Sequence, residues 1–429
     1  MDTVDYLYNE LKRTGYYDVY KQEQVHLWSD SDQTLFVNGT EVDAQTMTYS
    51  PSTNVTSGIA LVDNVGCTAA DYPDAVKGSI ALIKRGKCTF AHKSVLAEAA
   101  GAKAAIVYND VEGPLSGTLG SAHSDEGAYA PIVGISQAAG QKIVNQLDSA
   151  SLCAHLMIDN QMENRTTYNV IAQTKGGDPY NVVTLGGHSD SVNAGPGIND
   201  DGSGIISNLM IAKELTHFRL HNAVRFMFWT AEEYGLLGSK FYVNSLDDVE
   251  LAKIRLYLNF DMVASPNYAL KVYDGDGSAF NQTGPTGSAN IEHLFEDYFS
   301  SRRMPSEPTA FDGRSDYLAF IQNGIPAGGL FTGAENIKTA DEVDKFGGKA
   351  GVAYDPNYHG AGDDMSNLSH EAFLINAKAI ANSVATYARS LKSFPPRDPT
   401  SKVFAKREEM PKHDPHPAGS SCYHSRVEA

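Results

Sequence analysis

The segment N-V-V-T-L-G-G-H-S-D-S-V-N-A-G-P-G-I-N-D-D-G-S-G, Asn181 to Gly204, constrains this chain more than any other. Its β-branched, apolar start reads as a buried strand ending at Gly187, just before His188. The run G-S-G-I-I-S-N-L-M-I-A-K-E-L that follows reads as a helix. Between them a glycine-rich turn gathers one imidazole, His188, and three carboxylates, Asp190, Asp200 and Asp201. Strand, ligand-rich turn and helix in that order form the unit of an open α/β sheet, whose sites lie beyond the strands' C-terminal ends. Hard and borderline donors collected at one such point are suited to a divalent cation.

The pattern recurs. F-M-F-W-T-A-E-E closes a second apolar run on Glu232 and Glu233, I-R-L-Y-L-N-F-D places Asp261 at the end of a third, and A-Y-D-P-N-Y-H sets Tyr358 and His359 on a loop. Two histidines and three carboxylates suffice for two divalent ions. A bridging aspartate gives one oxygen to each, and ions about 3.5–4 Å apart clamp an attacking water and a substrate oxygen together. The adjacent glutamates allow a division of labour, one binding metal and one carrying a proton. Each residue also has a plainer reading. His188 suits a hydrogen-bonded core, Asp200-Asp201 a helix cap, Glu232-Glu233 a helix start, and Asp261 a loop closure. Five ligand-type residues at strand ends in one topological order favour the metal site.

These motifs resemble those of secreted fungal leucine aminopeptidases, co-catalytic two-zinc enzymes with an inserted protease-associated domain. The resemblance runs to about Leu391. It implies an α/β fold, a mostly parallel mixed sheet flanked by helices, and a zinc-dependent enzyme that releases N-terminal residues, preferably Leu or other bulky apolar ones, from peptides with a free N-terminus. It implies His188 and Asp261 on one zinc, Glu233 and His359 on the other, and Asp200 bridging. It further implies Glu232 as general base, Asp190 orienting His188, and Tyr358 polarising the scissile carbonyl. Arg314, in F-D-G-R-S-D-Y, falls at the substrate pocket wall, and its plainer reading is an ion pair with Asp312 or Asp316. Met262, Gly313 and Phe331 are candidates for an apolar pocket, or plain core. Bacterial relatives carry a cysteine just before the Tyr-His pair. Here Asn357 stands there, so that disulfide is absent.

Length allows two domains. The expected division is an N-terminal part of the catalytic domain over 1–44, the protease-associated insertion over 45–155, the catalytic domain over 156–392, and a proline- and charge-rich disordered tail over 393–429. The N-terminus shows an amphipathic helix pattern with Val4, Leu7, Tyr8 and Leu11 on one face. A second helix is expected from Ser369 to Leu391, with Ser369 as its cap. A formal net charge of −18 argues against nucleic acid and anionic membrane surfaces as partners. No run of about 18 apolar residues suggests a membrane span.

Cys67 and Cys88 flank a loop that a disulfide would close in an oxidising compartment, the alternative being two buried thiols. Cys153 and Cys422 form a second possible pair. Sequons at Asn38, Asn54, Asn164, Asn281 and Asn367 fit a secreted glycoprotein. The resemblance implies a signal and propeptide absent from this chain, and a monomer is expected. His413 and His416 in the tail lack surrounding donors. A non-catalytic binding protein on the same fold is the reading from another class, and retention of all five ligands and the base argues against it. A carboxypeptidase would need a basic cluster where only Arg314 appears, and a single-zinc glutaminyl cyclase is the remaining enzyme alternative.

Overall fold

A computed structural model describes residues 2–396. His413, His416 and Cys422 lie outside them, as does most of the expected tail. At its near end, Phe394 is buried in the main core against Tyr387, so ordered packing extends past residue 392.

The chain forms two compact units, one of Met1–His26 and the segment from Thr166 onward, the other starting at Leu27 and closing at Arg165. The second unit starts before residue 45 because the strand Tyr17–Val37 contributes Leu35 and Val37 to its core, beside Ile80, Leu82 and Ile106. Within it the strands Thr53–Leu61, Ile80–Lys84, Ala104–Tyr108 and Ile132–Ile135 run parallel in that order, with Ala44–Thr46 antiparallel at the edge. Its helices Phe90–Ala99 and Gln137–Leu147 start on the hydroxyl caps Thr89 and Ser136. Cys67 and Cys88 are disulfide-bonded, with Cα atoms 5.7 Å apart.

In the first unit the sheet order is Glu307–Thr309, Lys271–Tyr273, Ala327–Phe331, Ile254–Phe260, Asp178–His188, Asn222–Trp229 and the later part, from Thr166, of the strand Cys153–Thr174. The three central strands are parallel, and the pairs Ala327–Phe331 with Lys271–Tyr273 and Asn222–Trp229 with Cys153–Thr174 are antiparallel. Both sheet faces are covered, so the strands read as unbroken apolar runs. The alternation survives inside them. Val224, Phe226 and Phe228 join one core cluster with Leu209, Phe295 and Ile380, whereas Met227 and Trp229 join another with Tyr242 and Phe320.

The N-terminal helix Asp2–Arg13 buries Val4, Leu7 and Leu11, as its periodicity predicts. The last helix is His370–Arg389, and the Ser369 side chain accepts from the Ala372 amide as its cap. Parallel pairing carries His188, Trp229 and Phe260 to one edge of the sheet. His188 lies opposite Trp229, and Gly186 opposite Asn259.

Candidate active site

Three neighbouring strand ends, the turn before one helix and one further loop supply the polar groups at that edge. His188 ends its strand, Glu232 and Glu233 follow Trp229, Asp261 follows Phe260, and Asp200 lies just before the helix Gly202–Leu215. The loop carrying Tyr358 and His359 completes the group. Asp200 sits at the centre and turns its two oxygens to different partners. Its Oδ1 is 3.0 Å from His188 Nε2, and its Oδ2 is 3.2 Å from His359 Nε2. Asp261 Oδ1 is 3.5 Å from His188 Nε2, and Glu233 Oε2 is 3.0 Å from His359 Nε2. Each imidazole therefore has one carboxylate of its own and shares Asp200 with the other. Ala231, Met262 and His359, each within one residue of these groups or among them, adopt left-handed backbone conformations, with φ of 51°, 54° and 55°. For residues with a Cβ this costs on the order of 1–2 kcal/mol each, and such conformations cluster at functional sites.

Electrostatics follow from packing so many acids together. Burial pulls the His359 imidazole down, but the Glu233 charge and the hydrogen bonds the ring donates to Asp200 and Glu233 outweigh it and push it up to about 10. His188 is likewise raised by Asp261 and Asp200 against its burial. Burial lifts the Glu232 carboxyl well above the usual carboxylate range. Glu233 is raised by burial and by the charge of Asp200. Such a site binds protons tightly unless a cation replaces them.

Residues 169–384 match the peptidase family M28, and residues 53–143 match the PA domain. The chain is 64% identical over 435 residues to a protein of Aspergillus oryzae named probable leucine aminopeptidase 2, covering 100% of this chain and 88% of that one. The chain belongs to peptidase family M28. A probable leucine aminopeptidase 2 of Aspergillus fumigatus is 66% identical over 430 residues, covering 100% of this chain and 86% of the relative. Among solved structures, an aminopeptidase from Aneurinibacillus sp. strain AM-1 aligns over 90% of this chain and 88% of its own, with a TM-score of 0.72 at 30% identity. A zinc aminopeptidase from Bacillus subtilis aligns over 94% and 91%, with a TM-score of 0.67 at 25% identity.

The donor set of this M28 peptidase fits divalent cations. His188, Asp200 and Glu233 bring ligand atoms within 4.8 Å of one another, as do His188, Asp201 and Asp261. Glu233 Oε1 is buried with no hydrogen-bond partner. A buried carboxylate oxygen left without a donor is costly, and a cation would satisfy it. Asp201 has a different part. Its carboxylate accepts from the amides of His188, Gly204 and Met262, so it pins three segments and caps the helix.

Asp190 lies 3.8 Å from His188 Nδ1, and its backbone carbonyl is nearer to that nitrogen, at 3.1 Å. Its carboxylate accepts from the amides of Glu232 and Glu233, at 3.0 and 3.2 Å. Asp190 therefore sets the position of the glutamate pair as well as facing the imidazole. Ser315, which the sequence reading overlooked, donates to Asp261 Oδ2 at 2.6 Å and accepts from Asn259. It follows Arg314 directly, but its partner is distant in the chain, so no local motif announces it.

A pocket of about 290 Å³ opens over these groups, and Met262, Arg314, Phe331 and Tyr358 line it. Gly313 does not line the pocket. Its φ of +84° makes the turn that carries Arg314, and its amide donates to the Tyr317 hydroxyl. Arg314 bridges Glu335 and the Tyr358 hydroxyl, at 2.8 and 3.1 Å, rather than pairing with Asp312 or Asp316 through its guanidinium. Phe280, Tyr273 and Lys271 also face the pocket and were not singled out by sequence. Asn357, just before the Tyr358-His359 pair, braces its loop with hydrogen bonds. Its amide donates to Asp355, its side chain to Asn367, and its carbonyl accepts from Gly360.

Proposed function

We propose that this chain is a secreted, zinc-dependent aminopeptidase that releases bulky apolar residues, Leu foremost, from the free N-termini of peptides. The observation that carries the reading is the opposed pair of oxygens on Asp200, each facing its own histidine and acid. His188, Asp261 and Asp200 would hold one zinc, and Glu233, His359 and Asp200 would hold the other. The relatives named leucine aminopeptidase and the zinc aminopeptidase of Bacillus subtilis support the activity and the metal.

Two zinc ions bound there would supply Lewis-acid activation of water and of the scissile carbonyl. The protein's own groups do the rest. Glu232, whose neighbour Glu233 is the ligand, takes a proton from the attacking water and returns it to the leaving amine. Asp190 holds the amides of both glutamates, fixing which carboxylate serves which purpose. Burial pushes the Tyr358 phenol up against the lowering charge of Arg314 and keeps it protonated, so it donates a hydrogen bond to the developing oxyanion. Arg314 holds that phenol by its hydroxyl. Met262 and Phe331 offer apolar surface to the first side chain, which supports a preference for bulky residues.

Secretion draws support from the disulfide and from exposed sequons at Asn38, Asn54, Asn164 and Asn281. No described helix is long and apolar enough to cross a membrane. Asn367 is withdrawn from the glycan sites. It is buried, and its amide nitrogen donates to Asp355 and Asp363. The experiment that tests the activity compares a leucyl peptide with its N-acetylated form. The free amine is expected to be required. Equal turnover of both peptides would make this an endopeptidase and overturn the reading.

A further inference from the structure

Two buried carboxylates, Asp201 and Asp363, hold the segments around Asp200. Asp201 ties the His188 amide to that of Met262, next to Asp261, and so positions the pairing of His188 with Asp261. The other pairing, Asp200 with His359, joins segments far apart in the chain and needs its own frame. Asp363 provides it. Its Oδ1 accepts from the Asn199 amide at 2.9 Å, and its Oδ2 accepts from the Asp200 amide at 3.1 Å. Its backbone belongs to the His359 loop. The Asp363 amide donates to the Gly360 carbonyl, and its carbonyl accepts from Ile198.

We infer that Asp363 is a positioning residue that locks the bridging Asp200 to the His359 loop, with Asn367, Asn199 and Asp355 holding it in place. Asn367 donates to Asp363 Oδ1 at 3.1 Å and to both oxygens of Asp355 at 2.9 Å. Asn199 donates from its side chain to Asp355 at 2.7 Å and to Ser265 at 3.1 Å, and accepts from Ala264 at 3.2 Å. All four network residues are buried. The network therefore connects the Asp200 turn, the segment after Asp261, and the His359 loop. A fully bonded buried polar network specifies one arrangement of the segments it joins. Groups that orient ligands without touching the metal typically govern affinity by about 10- to 100-fold. The same geometry argues against a glycan at the Asn367 sequon, since its amide is buried and committed to this network.

This inference rests on the metal-site reading, and its test separates the two. Cobalt(II) is titrated into metal-free wild type and Asp363→Asn, with visible absorption reporting binding and coordination. Phe295→Leu, a core change in the helix Ser288–Ser301, serves as a control, with thermal unfolding measured on every variant. Asp363→Asn replaces an acceptor facing two amides with a side chain having only one acceptor oxygen. Its cobalt affinity is expected to fall about tenfold or more, with an altered absorption band, while Phe295→Leu binds as wild type does. Asn367→Ala, which keeps the carboxylate but removes a donor holding it, is expected to weaken binding less, and carries the test if Asp363→Asn does not fold. Unchanged affinity and spectrum in the Asp363 and Asn367 variants, or a loss no greater than in Phe295→Leu, would overturn the inference. A wild type that takes only one cobalt would overturn the two-ion reading instead, and the ratio of wild-type to variant affinity would still test Asp363.

Discussion

Both units of this chain build strand-to-helix connections, and they build them differently. In the unit with the PA domain, the strand Ile132–Ile135 reaches the helix Gln137–Leu147 through Ser136 alone, a hydroxyl cap with nothing left to offer a ligand. In the peptidase unit, the strand Asp178–His188 reaches the helix Gly202–Leu215 through a turn holding Asp190, Asp200 and Asp201. The Asp201 carboxylate serves as the cap, leaving Asp200 to face two histidines. The local architecture is shared, and the chemistry lies in what the connection carries beyond its cap.

The sharpest way to break this contrast is to change one of the two adjacent glutamates. Glu232→Gln keeps size and hydrogen bonding but removes the proton acceptor. It is expected to lower kcat by about 100-fold or more, while zinc content measured by elemental analysis stays at the wild-type level. Glu233→Gln is expected to lose metal as well. If Glu232→Gln empties a metal position, the roles within the pair are reversed.

The PA unit should respond in the opposite manner. Replacing Cys67 and Cys88 by serine removes the cross-link without touching any proposed ligand. Denaturant unfolding is expected to show a loss of about 3 kcal/mol from loop entropy, with kcat on a leucyl substrate unchanged. A large fall in kcat at preserved folding would show that the two regions are not divided as described.

A smaller effect sharpens the comparison inside the peptidase unit, between a bonded and an unbonded buried glutamate. Glu233 has an oxygen with no partner, whereas Glu342 bonds Lys271, Tyr354 and Thr339. Burial raises the Glu342 carboxyl, but its hydrogen bonds, that of Tyr354 first, overcome this and bring it down to about 2. A carboxyl lowered on folding adds stability that is full above its unfolded value near 4.5 and is lost as pH falls toward 2. Wild type is expected to lose on the order of 2 kcal/mol through this group across that window. Glu342→Gln should flatten that part of the Tm–pH curve, and an unchanged slope would remove Glu342 from the account.

Much of the site was legible because ligands stand at the ends of apolar runs, and the parallel sheet must bring those ends together. His188, Glu233 and Asp261 follow from this directly. Asp363 did not, because its role depends on amides at Asn199 and Asp200, which only the fold brings near it. Ser315 escaped for the same reason. Asn367 shows the converse, since its sequon is a local pattern that says nothing about burial. The early boundary at Leu27 escaped because a strand that runs from one unit into another carries no break in its pattern. Gly313 was assigned to the pocket from its neighbours, whereas its positive φ serves the turn beneath Arg314.

The central claim is that Asp200 joins two metal positions, and zinc titration of the metal-free protein tests it most directly. Bound zinc per chain and release of leucine from leucinamide are followed on the same samples. The account predicts two zinc ions per chain at saturation, no turnover in the metal-free protein, and recovery of activity as zinc is restored. Saturation at one ion per chain, or full turnover after complete chelation, would contradict it.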